Sequence, residues 1–201
     1  MSVPLPPLPP GDGDDGYRPG GRSLVDIVEE EHHRITALAG ELAAPDTDGA
    51  RRREVAEVFA AAVSRHLSAE EQYLYPAVRR ALPDGGELAD REIETDAALL
   101  RVLKDTDGTQ VIDVREVWRR HVAAVRPALE RLCAVASEAE LIRLGNRLEI
   151  AEEAAPTRPH PGTPATPPWN RIVEPAVGVV DKVRDAVTGR RTYLADLDRD
   201  R

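Results

Sequence analysis

Residues 55–78 read VAEVFAAAVSRHLSAEEQYLYPAV, and the spacing of this stretch decides the fold. Val55, Phe59, Ala62 and Val63 recur at the three- and four-residue intervals of one helical face. His66 continues that stripe, and Glu70 follows four residues later, so both side chains project from the apolar face one turn apart. A helix that spends an imidazole and a carboxylate on its buried face needs partners that supply compensating groups. The flanking sequence therefore has to be read for other helices.

Those helices are present on both sides. Short polar links at 45–49 (PDTDG), 83–86 (PDGG) and 105–109 (DTDGT) separate four helical stretches between Ser23 and about residue 135. Links this short make neighbours in sequence antiparallel neighbours in space, which predicts an all-α, up-down-up-down four-helix bundle. The first helix starts at Ser23, a good N-cap with Asp26 in its first turn, and carries Leu24, Val28, Ile35, Leu38 and Leu42. The third carries Leu88, Leu99 and Leu103, and the fourth Val114, Val117, Val125, Leu129 and Leu132. Pro76 and Pro127 interrupt helical text in a shared local pattern, PAVRR against PALER, and each is expected to kink its helix.

Outside the bundle, residues 1–22 are rich in Pro and Gly and are expected to be disordered. The bundle domain is placed at 23–155 and includes a fifth helix, which begins at Ser137-Glu138-Ala139-Glu140 with capping-box spacing. A Pro-rich strap follows over 156–170, then a C-terminal amphipathic helix and charged tail over 171–201.

Composition excludes several function classes. The net charge is −9 with a pI near 5.1, and no basic face is available for phosphate backbones, so nucleic acid is not an expected partner. The single Cys133 rules out an intrachain disulfide and a C-x-x-C metal site and suits a reducing cytoplasm. No apolar run approaches the ~20 residues of a membrane span, and no membrane partner is expected.

The polar residues on the stripes carry the functional reading. His32 lies between Val28 and Ile35, His121 between Val117 and Val125, and Asp96 interrupts the third stripe before Leu99. With His66 and Glu70, each of the four helices places a ligand-type side chain on its apolar face. A competing stripe through Ile93 and Leu100 would instead turn Asp96 outward. His33 points about 100° from His32 and is expected in solvent or behind the ligands rather than on the metal; His160, in the strap, is expected to be exposed. Imidazole and carboxylate donors without sulfur suit iron or manganese, with zinc as a further candidate.

Three motifs resemble the hemerythrin HHE cation-binding family over residues 23 to about 187: EEHHRI at 30–35, HLSAEEQYLYPAV at 66–78 and the strap APTRPHP at 155–161. The resemblance implies a bundle holding a non-haem di-iron centre that binds or senses O2, NO or iron; with the ligands present here, the iron expected is mono- or dinuclear. It carries the ligand role to His32, His66 and Glu70, and puts Asp96 where the family has a third-helix His. The fourth helix departs from the pattern. In one register Val125 replaces an expected Glu; in the other Val117 replaces an expected His. Either way His121 is its single ligand. Glu71, Glu94 and Tyr73 are the nearest further donors. Two other functions compete with metal or gas binding: a metal-free interaction bundle, and an iron-dependent oxygen or peroxide enzyme built on His32, His66 and Glu70.

Overall fold

The computed structural model describes residues 19–105, 114–161 and 170–197. Most of the segment expected to be disordered, part of the third link and half of the strap lie outside these residues. The bundle is formed by α1 (Leu24–Ala43), α2 (Gly49–Ala69) with its continuation α3 (Tyr75–Ala81), α4 (Gly85–Asp105) and α5 (Val114–Val135). Between α2 and α3 the chain passes without interruption through one π-helical segment, Glu70–Leu74. α1 packs on α2 and α5, α4 packs on α3 and α5, and the four rods close a ring around one interior. The expected four-helix bundle is therefore the observed architecture.

Local chemistry explains where the rods begin. Ser23 Oγ accepts the amide of Asp26 at 3.1 Å, and Asp48 Oδ1 accepts the amides of Ala50 and Arg51, so two helix starts have their free N–H groups met. Within the bundle Leu24, Val28, Leu74, Tyr75, Val125 and Leu129 form one apolar cluster. Ile35, Val55, Phe59, Leu67, Leu99 and Trp118 form a second. The two prolines behave differently. Pro76 follows the π turn, whose wider winding relieves the clash of its ring with the preceding turn. Pro127 lies inside α5, which stays α-helical from Val114 to Val135.

Outside the ring, α6 (Glu138–Ala154) starts on the expected capping box, Ser137 with Glu140, and lies against α1, α2 and the π segment. Gly145 lets it approach: a Cβ there would stand 2.2 Å from Arg22 O and 2.9 Å from Leu24 N. The chain before α1 is held on the same helix, where Asn146 Nδ2 donates to Gly20 O. α7 (Asn170–Thr188) is amphipathic as expected, but it docks by its polar face. Asp181 and Asp185 are buried, Asp181 accepting from Arg158 N and Asp185 from the Arg158 side chain and Thr157 Oγ1. Val179, Val180, Val183 and Val187 face solvent on the other side. His160, expected to be exposed, is instead half-buried, with Nε2 2.9 Å from Asp181 Oδ2. No helix among the described residues is long and apolar enough to cross a membrane.

The close approach of α6 gives a direct check. Gly145→Ala is expected to cost about 1–3 kcal/mol by overpacking against backbone. Gly40→Ala, in the last turn of α1 with nothing within 4 Å of the new methyl, should be neutral or gain up to about 0.5 kcal/mol. Urea denaturation of both variants measures this. Equal effects at the two sites would contradict the packing of α6 on the start of α1.

Candidate metal centre

Stripe positions on four rods meet in the middle of the ring. His32 comes from α1, His66 and Glu70 from α2 and its π continuation, Asp96 from α4 and His121 from α5. Glu70 and Asp96 are fully buried, His66 and His121 are 1% exposed and His32 is 6% exposed. The stripe that puts Asp96 inside is the one the fold adopts. His33 is exposed, as expected.

Glu70 is the hub. Its Oε1 lies 3.3 Å from His66 Nε2 and 3.8 Å from His32 Nε2, and its Oε2 lies 3.4 Å from His121 Nε2. One donor atom from each of these four residues falls within 4.8 Å of the others. Asp96 stands one step further out. Its Oδ1 is 2.9 Å from His121 Nδ1, and its Oδ2 accepts from Tyr75 Oη at 2.5 Å. The Tyr75 hydroxyl also lies 3.0 Å from Glu70 Oε2. The carboxylate of Asp96 thus fixes the far side of the His121 ring and leaves Nε2 facing inward, the usual arrangement behind a ligating histidine.

Two residues at the cluster were not singled out from the sequence. Tyr75 is one. Trp118 is the other: it stacks on His121 with ring centroids 4.9 Å apart and meets His32 and His66 edge-on at 5.6 and 5.5 Å. Its indole N–H donates to Thr36 Oγ1 at 3.0 Å. Trp118 lies three residues before His121 on one helical face, a spacing that marks it as a neighbour of the stripe. Among the further donors considered, Glu94 is exposed and Tyr73 packs against the apolar cluster. Glu71 is buried outside the group of four.

The electrostatics show what the cluster lacks. Burial and the neighbouring His66 push His32 down to about 2, so its ring is a neutral lone-pair donor. Burial also works against a charged His66 and a charged Glu70, but their mutual attraction wins, holding His66 up at about 9 and Glu70 down at about 2. Even so, Nε2 of His32, His66 and His121 and Oε1 of Glu70 have no hydrogen-bond partner, though all four atoms are buried. Unsatisfied buried polar atoms cost about 1–3 kcal/mol each, and a metal cation replacing the His66 proton would satisfy all four at once. The residues fit one in kind: Glu70 Oε1 is 3.3 and 3.8 Å from His66 and His32 Nε2, Glu70 Oε2 is 3.4 Å from His121 Nε2, and the whole group lies within 4.8 Å, against about 3.4 Å between neighbouring donors on an ion with bonds of about 2.1 Å.

A cleft of about 350 Å³ between α1, α2, α6 and the C-terminal segment comes within one side chain of this group. Glu152 of α6 lines it and places Oε1 4.0 Å from His66 Nδ1. Burial and the nearby Glu31 raise the Glu152 carboxyl to about 7, with His66 opposing.

Fold and cluster together define a four-helix bundle whose core has the composition of a metal site. A family model described as the hemerythrin HHE cation binding domain matches residues 23–132, more than half of the chain, and the protein belongs to that family. The match spans the four bundle helices and stops before α6. No curated protein and no solved structure matches significantly.

Glu152 yields a pH prediction for metal-free protein. A carboxyl that holds its proton more tightly when folded favours the fold below the ordinary carboxylate range, and that contribution is lost as pH rises through 7. Glu152→Gln should therefore lose less melting temperature between pH 5 and pH 8 than the parent. Identical pH profiles would contradict the burial of Glu152 against Glu31.

Proposed function

We propose that the bundle is a non-haem iron-binding module that takes up a small gas, O2 or NO, with His32, His66, Glu70 and His121 as the metal's protein ligands. The observation that carries this reading is the set of four buried donor atoms without partners, one from each ligand residue, gathered at one place. Three imidazoles and a carboxylate suit iron, and the family's description supports a cation. Asp96 is assigned to holding His121 rather than to the metal, because one oxygen meets Nδ1 and the other meets Tyr75.

The choice of a diatomic ligand rests on enclosure. The four ligand residues are at most 6% exposed, and Trp118 covers the three imidazoles on one side. Bound iron would supply the reversible coordination of the gas. The chain's part is to keep water out, hold Glu70 ionised and present three nitrogens inward. A single cysteine and an acidic surface suit the reducing cytosol.

Protein purified without a histidine tag from iron-replete cells is expected to carry iron near stoichiometry. Its visible absorption should change between reduced, oxygenated and NO-treated states. Chelation should lower the melting temperature by about 5–10 °C, the loss expected when a ligand at a hundred times its Kd is withdrawn from a domain of this size. His66→Ala should bind no iron and show no chelator effect. Metal-free protein with a melting temperature indifferent to chelator would overturn the proposal.

A further inference from the structure

We propose that the outward face of α7 is a dimer surface, on which a second copy of this chain packs its own α7 antiparallel. Among the described residues, exposed large apolar side chains concentrate there. Val179, Val180, Val183 and Val187 are 61–82% exposed and make up four of the eight such side chains. A contiguous apolar patch left in water marks an interaction site, because covering it drives association.

The helix that carries the valines is firmly seated. Asp181 and Asp185 hold its inner side on Thr157, Arg158 and His160, and Gly178 lies against the backbone of Ala154 and Ala155. Lys182 Nζ pairs with Glu153 Oε1 at 3.1 Å. The outward residues follow the period of a coiled-coil seam. Ala176, Val180, Val183 and Val187 are four, three and four residues apart, the alternation that keeps one stripe facing a partner helix. Ala176 is exposed like the valines. In the same repeat Gly178 and Asp185 take the position opposite the seam, which is the side docked on the body.

The spacing also selects the partner. Four, three, four reads the same in reverse, so an antiparallel copy sets every seam residue against another. Val180 meets the partner's Val183, and Ala176 meets the partner's Val187. A two-fold axis makes such a contact self-complementary. Each layer then contains a valine, whereas a parallel copy would pair the two small Ala176 side chains and leave a gap. Beside the seam stand Val177, Val179, Ala186 and Arg184, so no like charges are forced together. A lipid surface fits less well. Interfacial helices offer Lys and Arg on the polar face and Trp, Phe or Leu on the other. Here the polar side is occupied by the strap, the apolar side holds only valine and alanine, and the net charge is −9. Two helices of this length in contact bury roughly 800 Å² in all, the size of a weak, reversible interface rather than a permanent one.

Sedimentation equilibrium of full-length protein from micromolar to millimolar concentration tests the inference. It is independent of the metal reading, and metal-free protein serves throughout. The wild type is expected to show a reversible monomer–dimer equilibrium. Val183→Glu puts a charge into both central layers and should weaken the dimer at least ~100-fold, with circular dichroism unchanged. Val135→Glu, exposed on α5, should leave the dimer as it is. Val180→Glu repeats the test should the first variant fail to fold. Protein that stays monomeric, or a dimer indifferent to both seam variants, overturns the inference. Spin labels on Thr188→Cys, in a Cys133→Ser background, should stand about 20 Å apart along the paired helices. Labels side by side would overturn the antiparallel arrangement. Two further outcomes assign the valines to another occupant and also overturn it. One is monomer binding to phosphatidylcholine vesicles that Val183→Glu abolishes. The other is a dimer that forms only after deletion of residues 1–18.

Discussion

One carboxylate in a core of imidazoles is the constraint on which the rest of this structure depends. Glu70 is fully buried, and an ionised carboxylate taken out of water costs several kcal/mol, roughly, even after relaxation. The bundle compensates by aiming three imidazoles at it from three rods, with Tyr75 on one oxygen. Those groups meet only if α1, α2 with its continuation, and α5 are in register. The chemistry of the centre and the packing of the bundle are therefore one problem. The same group also explains why the fold tolerates a π turn: the wider winding starts at Glu70 itself, and such bulges recur at functional sites.

How much of this could be read from the sequence depends on which periodicity governs each residue. His32, His66, Glu70 and His121 obey the α-helical spacing of their stripes and were legible as inward-facing. Asp96 was legible as a buried residue of α4, and the fold adds that its oxygens meet His121 and Tyr75. Tyr75 was invisible for a geometric reason. Counted along an α-helix it falls about 140° from Glu70, on the wrong face. The π turn, which adds a residue to one winding, brings the two together. Trp118 was readable as core, and nothing in the spacing says that it caps three imidazoles.

The layers outside the ring carry a second lesson. α7 has the amphipathic pattern that ordinarily signals an apolar face turned inward, yet it is seated by Asp181 and Asp185 on the strap residues Thr157, Arg158 and His160. A pattern gives the period of a helix and not the sign of its contact. α7 also meets α6 and the π segment, with Gly178 against the backbone of Ala154 and Ala155. α6 in turn reaches the centre through Glu152, which stands behind His66. The family match covers the ring of four, and the α6 layer is what this chain adds directly behind one of the four residues of its cluster.

The central claim is that His32, His66, Glu70 and His121, converging from three rods, hold iron. X-ray absorption at the iron edge of loaded protein measures that most directly. The account predicts a first shell with three imidazole nitrogens, recognisable by their multiple-scattering pattern, together with carboxylate oxygen. A shell of oxygen donors without imidazole scattering would mean that iron binds elsewhere on the protein, and the account would fail.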